Sequence, residues 1–189
     1  MNQDARPDLR GCKVAILVAD DFEQVEMTEP RQALQAAGAE TKLIAIHAGQ
    51  VTGFHHDKAG DKFDVQMTLE DARPEDFDAV LLPGGAINAD HLRMSQTAQK
   101  FVQAMDRAGK PMAVICHAPW LLVSAGLVKG RTLTSWPSVQ DDIRNAGGDW
   151  VDQEVVRDGN LVTSRKPADI PAFNREMCKL IAEKHAQTA

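Results

Sequence analysis

Short apolar runs alternate along this chain with longer segments whose apolar residues recur three or four positions apart. Residues 13–19 (KVAILVA), residues 41–46, Ala79–Leu82 and Met112–Ile115 are runs of the first kind. They are apolar at successive positions, the pattern of strands covered on both faces in a parallel sheet. Between them the spacing predicts helices. One opens at Thr28 or Glu29, with Pro30 in its first turn, Leu34 and Ala37 inward and Gly38 as its stop. Another spans 90–109, where Ala98, Phe101, Val102, Met105 and Ala108 follow helical spacing. A third covers 118–128 with Leu121, Leu122 and Ala125 inward, and a fourth covers 138–146 up to Gly147-Gly148. The last is capped by Asp169, carries Pro171 just inside, and buries Phe173, Met177, Leu180 and Ile181.

Three regions break the alternation. Glycines 49, 53 and 60 divide residues 48–66 into a small hairpin excursion, and 131–135 reads as a short strand. Residues 151–156 and 161–163 flank Arg157-Asp158-Gly159-Asn160, a hairpin turn signal. The whole reads as an α/β doubly wound sheet with the two hairpins as additions.

Bulk properties narrow the class. A chain of 189 residues suits one domain over 1–189, with 1–11 flexible and 186–189 frayed. A net charge of -6 gives no footprint for nucleic acid or an anionic membrane. No apolar run approaches the ~20 residues of a membrane helix, and residues 1–10 hold no apolar signal core. Cys12, Cys116 and Cys178 are too few and too scattered for a disulfide framework, which points to a reducing cytoplasm.

The chemistry centres on Lys110-Pro-Met-Ala-Val-Ile-Cys-His-Ala-Pro-Trp120. Cys116 falls where a buried strand must stop and a helix begin, the thiol form of a nucleophile elbow. A helix N-terminus there predicts a lowered thiol pKa, and His117 supplies a proton relay. The alternative is a buried core cysteine, a common fate of free thiols. Three strands end in pointed loops, near Glu23, at Gly84-Gly85 and at Cys116, and such loops meet at a switch point of the sheet. Gly85 and His117 are the expected N–H donors of an oxyanion hole. Gly84, Phe22, Trp120 and Trp136 are candidate cleft-lining residues, with a core role equally open for the aromatic ones. His55, His56 and Asp57 lack a third ligand by spacing, so no metal is expected. No G-x-G-x-x-G follows a strand, so no cofactor is expected. Between Glu23 and Glu26 the residues alone do not choose.

The stretch A-V-I-C-H-A-P-W, with D-D-F-E-Q-V-E and P-G-G before it, resembles the ThiJ/PfpI family. The likeness is to the intracellular protease I and general stress protein branch of the class I glutamine-amidotransferase-like superfamily, over about 13–181. It implies a flavodoxin-like three-layer sandwich with a mostly parallel sheet. By the match Glu23 points at the sulfur, and its pKa should be raised there. Asp90, before Leu92-Arg93, matches the acid that orients His117 within or between subunits, although Ala89 stands where the family more often has proline. The resemblance implies a homodimer or higher homo-oligomer. It also implies a cysteine-dependent stress-response enzyme acting on small reactive carbonyls (glyoxalase or deglycase chemistry) or on peptides. A redox-sensing stress protein or chaperone is the alternative, in which oxidation of Cys116 is the function.

Overall fold

The computed structural model describes residues 7–188. In chain order it contains β1 (Lys13–Val18), β2 (Phe22–Glu23), α1 (Gln24–Ala36), β3 (Glu40–Ala45), β4 (Gln50–His55), β5 (Lys58–Asp64) and β6 (Met67–Thr68). There follow β7 (Ala79–Leu82), α2 (Ala86–Met94), α3 (Gln96–Arg107), β8 (Met112–Ile115), α4 (Pro119–Ser124), β9 (Thr132–Leu133) and α5 (Gln140–Asn145). The chain closes with β10 (Asp149–Trp150), β11 (Val155–Asp158), β12 (Leu161–Ser164) and α6 (Ile170–Thr188).

The central sheet runs β11-β12-β8-β7-β1-β3-β6 and is parallel except at the β11–β12 edge. Apolar runs make this possible because alternate side chains enter two different cores. From β1, Val14, Ile16 and Val18 join the layer of Phe22, Met27, Leu34, Phe173 and Met177. Ala15 and Leu17 join the opposite layer, with Phe101, Val102, Met105, Leu121 and Leu122. The result is the expected α/β three-layer sandwich. Among the described residues no helix is long and apolar enough to cross a membrane.

Several boundaries differ from the sequence reading, each for a local reason. Helix α1 starts at Gln24, so Pro30 sits inside it, not in its first turn. The span 90–109 is two helices. Ser95 interrupts it in extended conformation and caps α3 by accepting from the Ala98 N–H at 3.2 Å. Residues 118–128 form only the six-residue α4, and 131–135 supplies only β9, which pairs with β10 outside the central sheet. The second hairpin is not an addition. Its strand β12 pairs with β8, the elbow strand, from Leu161↔Met112 to Ser164↔Ile115. The first hairpin does stand apart, as a three-stranded sheet β2-β4-β5.

Ahead of β1 the described residues pack onto the fold. Leu9 is fully buried and its N–H donates to the Ala37 carbonyl at 2.8 Å; residues 1–6 lie outside the described ones. At the other end α6 continues to Thr188. Asp169 does not cap α6 with its side chain: the carboxylate, 3% exposed, accepts from the Arg165 backbone and guanidinium.

Candidate active site

Strands β1, β7 and β8 are neighbours, so the loops after their carboxyl ends converge. The loop after β8 is an elbow. Cys116 has φ +65°, in the left-handed region, at a cost of ~1–2 kcal/mol for a residue with a Cβ. The conformation is held from both sides. The Cys116 N–H donates to the Ser164 carbonyl at 3.0 Å, and its carbonyl accepts from the Trp136 N–H at 2.8 Å. A local strain fixed by its surroundings is what a positioned reactive side chain requires.

Two glycines bring the β7 loop against it. A Cβ on Gly84 would stand 2.3 Å from Glu26 Oε2 and 2.5 Å from Cys116 Cβ. One on Gly85 would stand 2.7 Å from the Glu23 nitrogen, and Gly85 itself has φ +94°. No other residue allows this approach. Asn88, fully buried, locks the turn: its amide donates to the Pro83 and Gly84 carbonyls and its oxygen accepts from the Ala19 N–H at 2.7 Å. The sequence reading missed this clamp.

The acid at the sulfur is Glu26, not Glu23. Starting at Gln24, α1 turns Glu26 onto the face of Pro30 and Leu34, where it is 0% exposed. Its Oε2 accepts from the Gly84 N–H at 2.9 Å. The carboxyl also interacts with the Cys116 thiol, and its Oε1 is buried without any other hydrogen-bonding group. Burial, aided by the charge of Glu23, pushes the Glu26 pKa up to about 8. Glu23 is engaged by the hairpin instead: its Oε2 accepts from the His56 N–H at 3.2 Å, with His56 Nδ1 at 3.7 Å. The resemblance had singled out Glu23; α1 begins at Gln24, four or five residues earlier than its sequence signals indicate, and so turns Glu26 inward instead.

A second correction concerns the thiol. Burial and the Glu26 carboxylate push the Cys116 pKa well up, opposed by backbone N–H groups of Gly85 and His117 that donate to the sulfur. A six-residue α4 does not outweigh desolvation. The two expected oxyanion donors therefore do face the sulfur.

His117 places Nδ1 3.2 Å from Cys116 Sγ. Its ring lies between Trp136, stacked at 5.7 Å and 21°, and Trp120, edge-on at 5.4 Å and 63°. The Trp120 indole is in turn fixed by its N–H to Asp142 at 3.0 Å and by Arg93 over its face. Burial lowers the His117 pKa, so the ring is neutral at pH 7. Asp90 is exposed inside α2, neither its N-cap nor in contact with His117 among the described residues.

The cleft above the sulfur measures about 500 Å³. Trp136, Gly85, Phe54, Ile87 and Pro167 line it, together with Asp21, Glu23, Glu26, His56, Asp57, Cys116 and His117. Phe22 belongs to the core, tilted against Phe63 at 5.7 Å, and Trp120 stands behind His117. Gly84 lies beneath the cleft, between Glu26 and Cys116. Phe54, His56 and Asp57 come from the β4–β5 hairpin, which the sequence pattern predicts as an excursion but not as a wall of the cleft. Among the described residues no three His, Cys, Asp or Glu side chains are arranged to hold a metal. Cys12 and Cys178 are buried away from the cleft, and burial pushes both thiols to about 11.

A cysteine on a strained elbow, a buried acid at its sulfur and a histidine at 3.2 Å are features that comparison with known proteins can place. The family model described as the DJ-1/PfpI family matches residues 12–180. The chain belongs to the DJ-1/PfpI family. A deglycase from Pyrococcus horikoshii is 43% identical over 169 residues, covering 89% of this chain and 99% of that one. YraA of Bacillus subtilis, which carries the words cysteine protease in its name, is 41% identical over 89% of this chain and 98% of its own. Among solved structures, Drosophila melanogaster DJ-1beta superposes with a TM-score of 0.82 at 27% identity, covering 93% of this chain and 94% of that one. These similarities support a DJ-1/PfpI family enzyme.

Proposed function

We propose that this protein is a cysteine-dependent enzyme acting on reactive carbonyls, of the glyoxalase or deglycase type. The observation that carries the reading is the Glu26–Cys116 pair: a thiol and a carboxyl buried together at the floor of a small cleft, with Glu26 raised to about 8. Such a pair holds a proton at neutral pH and can hand it over during the reaction. The close relatives named as deglycases support the same reading.

In this account Cys116 sulfur adds to the carbonyl carbon as the carbon–oxygen double bond opens. The thiol proton leaves the sulfur and the new alkoxide gains one, with Glu26 as the group that exchanges it. The N–H groups of Gly85 and His117, already aimed at the sulfur, are the nearest donors for that oxygen. With a 2-oxoaldehyde the adduct is a hemithioacetal. Neutral His117 accepts the proton from its carbon and returns it to the adjacent carbon while the hydroxyl proton passes from the first oxygen to the second, leaving a thioester; water then cleaves it to a 2-hydroxy acid and free thiol. Cys116, Glu26 and His117 are the proposed catalytic residues. Glu23 binds the hairpin and tunes Glu26, and Asp90 has a role only if a second subunit brings it to His117.

The test is lactate formation from methylglyoxal by the reduced protein, with Cys116→Ala in parallel. Lactate that disappears in the variant is the expected result. No lactate from protein with a verified free thiol would sink the carbonyl reading and turn attention to peptide hydrolysis.

A further inference from the structure

The cleft is apolar on one side and acidic on the other. Phe54, Ile87 and Trp136 form the apolar part, the last two 48% and 38% exposed. Asp21, Glu23 and Asp57 form the acidic part, and among the described residues no Lys or Arg side chain lines the cleft. Glu23 is engaged by His56. The carboxylates of Asp21 and Asp57 have no hydrogen-bond or ion-pair partner among the described residues, which leaves their charge uncompensated at the mouth. Below them lies Glu26, fully buried, its carboxyl engaged by the Gly84 N–H and the Cys116 thiol.

This arrangement is built, not incidental. Asp57 is placed by the two-residue turn between His55 and Lys58, where His56 takes φ +60°. Gln24 anchors the hairpin, donating to Asp61 Oδ2 at 2.7 Å and accepting from the Asp61 N–H at 2.8 Å. Gly53 and Gly60 make room for Gln24; a Cβ on Gly60 would lie 2.2 Å from its Oε1. Asp21, in the left-handed region at φ +63°, lines the same cleft with its backbone carbonyl against Gly85. A concave site with walls of low dielectric concentrates a field of one sign, and that field sorts substrates by charge before any contact is made.

Resting on the reading of Cys116 as a carbonyl-directed nucleophile, we propose that the cleft selects carbonyl substrates carrying a cation beside an apolar body and rejects those carrying a carboxylate or phosphate. Asp21 and Asp57 are the specificity-determining residues. Aldehyde adducts that keep a neighbouring ammonium or guanidinium group fit; 2-oxo acids and sugar phosphates do not.

The closing experiment reads charge selection without requiring turnover. Cys116 is modified by two methanethiosulfonate reagents of similar size, one bearing trimethylammonium and one sulfonate. The ratio of their rates at low salt is divided by the same ratio for free N-acetylcysteine. The normalised ratio should favour the cation by about tenfold or more, and should fall toward one in high salt and in the Asp21→Asn/Asp57→Asn double variant. In a second arm, turnover of glyoxylate relative to neutral methylglyoxal should rise in that variant. A normalised ratio of one in the wild-type protein at low salt, or a ratio that neither salt nor the double variant changes, would overturn the proposal. If neither carbonyl is turned over, the carbonyl reading fails while the reagent ratio still decides charge selection.

Discussion

The floor of the cleft and its hairpin wall use the same two kinds of residue, a carboxylate and a histidine, to opposite ends. On the floor, Glu26 and His117 are buried against Cys116, and their surroundings shift the pKa of both. On the wall, Glu23 and His56 meet each other at the cleft edge, with the His56 side chain 81% exposed. Only two residues separate the two glutamates. The first turn of α1 sends one into the core and leaves the other facing the hairpin. Glu23 is itself only 9% exposed, so the partner makes the difference: an exposed histidine on the wall, a buried thiol on the floor.

If that contrast is right, substitutions on the floor cost far more than the same substitutions on the wall. Glu26→Gln should lower turnover of methylglyoxal about 100-fold or more, the usual scale for a lost acid–base group. The same variant has a signature in stability. The folded pKa of Glu26, about 8, lies above the ordinary 4.5, so the folded state holds a proton that the unfolded state gives up. Its contribution is fully present below pH 4.5 and is lost as pH rises through about 8. Between those limits stability should fall with a slope of up to about 1.4 kcal/mol per pH unit, and Glu26→Gln should flatten it in denaturant titrations.

Gly84→Ala probes the floor without touching a charge. Its methyl would press on Glu26 and on Cys116 Cβ, so a loss of ~1–3 kcal/mol in unfolding free energy is expected, the scale of an overpacked core. Trp136→Ala uncovers one face of His117. Water then returns to a ring whose pKa burial had lowered. The acid limb of the pH–rate profile should move up toward pH 6.5, the ordinary value for histidine, and Trp136→Phe should restore it. Smallest of all, Glu23→Gln should change turnover by less than about tenfold, since the amide still accepts the His56 N–H and tunes Glu26 only from a distance.

Much of this was legible in the chain. The apolar runs placed β7 and β8 to the residue, because strands buried on both faces need an uninterrupted apolar stretch and end where it ends. Cys116, His117 and Gly85 were legible together, since a strand, a turn and Pro119 at the helix start leave few other conformations. Glu26 was not. Its helix has no side-chain cap at Glu23 and carries Pro30 well inside, so the usual signals pointed to a later start. Yet Glu26, Pro30 and Leu34 stand four residues apart, and that spacing continued backwards would have placed Glu26 on the buried face. The roles of Asn88 and of the Trp120–His117–Trp136 stack depend on contacts between distant segments and left no local trace. The hairpin was legible from its glycines, but its place as a cleft wall was not, because that depends on Gln24, from another element.

The most direct measurement is the ultraviolet titration of the Cys116 thiolate in the wild-type protein, Glu26→Gln and Glu23→Gln, with Cys116→Ala subtracted as background. The account predicts that Glu26→Gln lowers the pH at which the thiolate forms, because a buried negative charge beside the sulfur is removed. It also predicts that Glu23→Gln leaves that titration close to wild type. A thiolate titration unmoved by Glu26→Gln, or moved as far by Glu23→Gln, would contradict the assignment of Glu26 as the acid that shares its proton with Cys116.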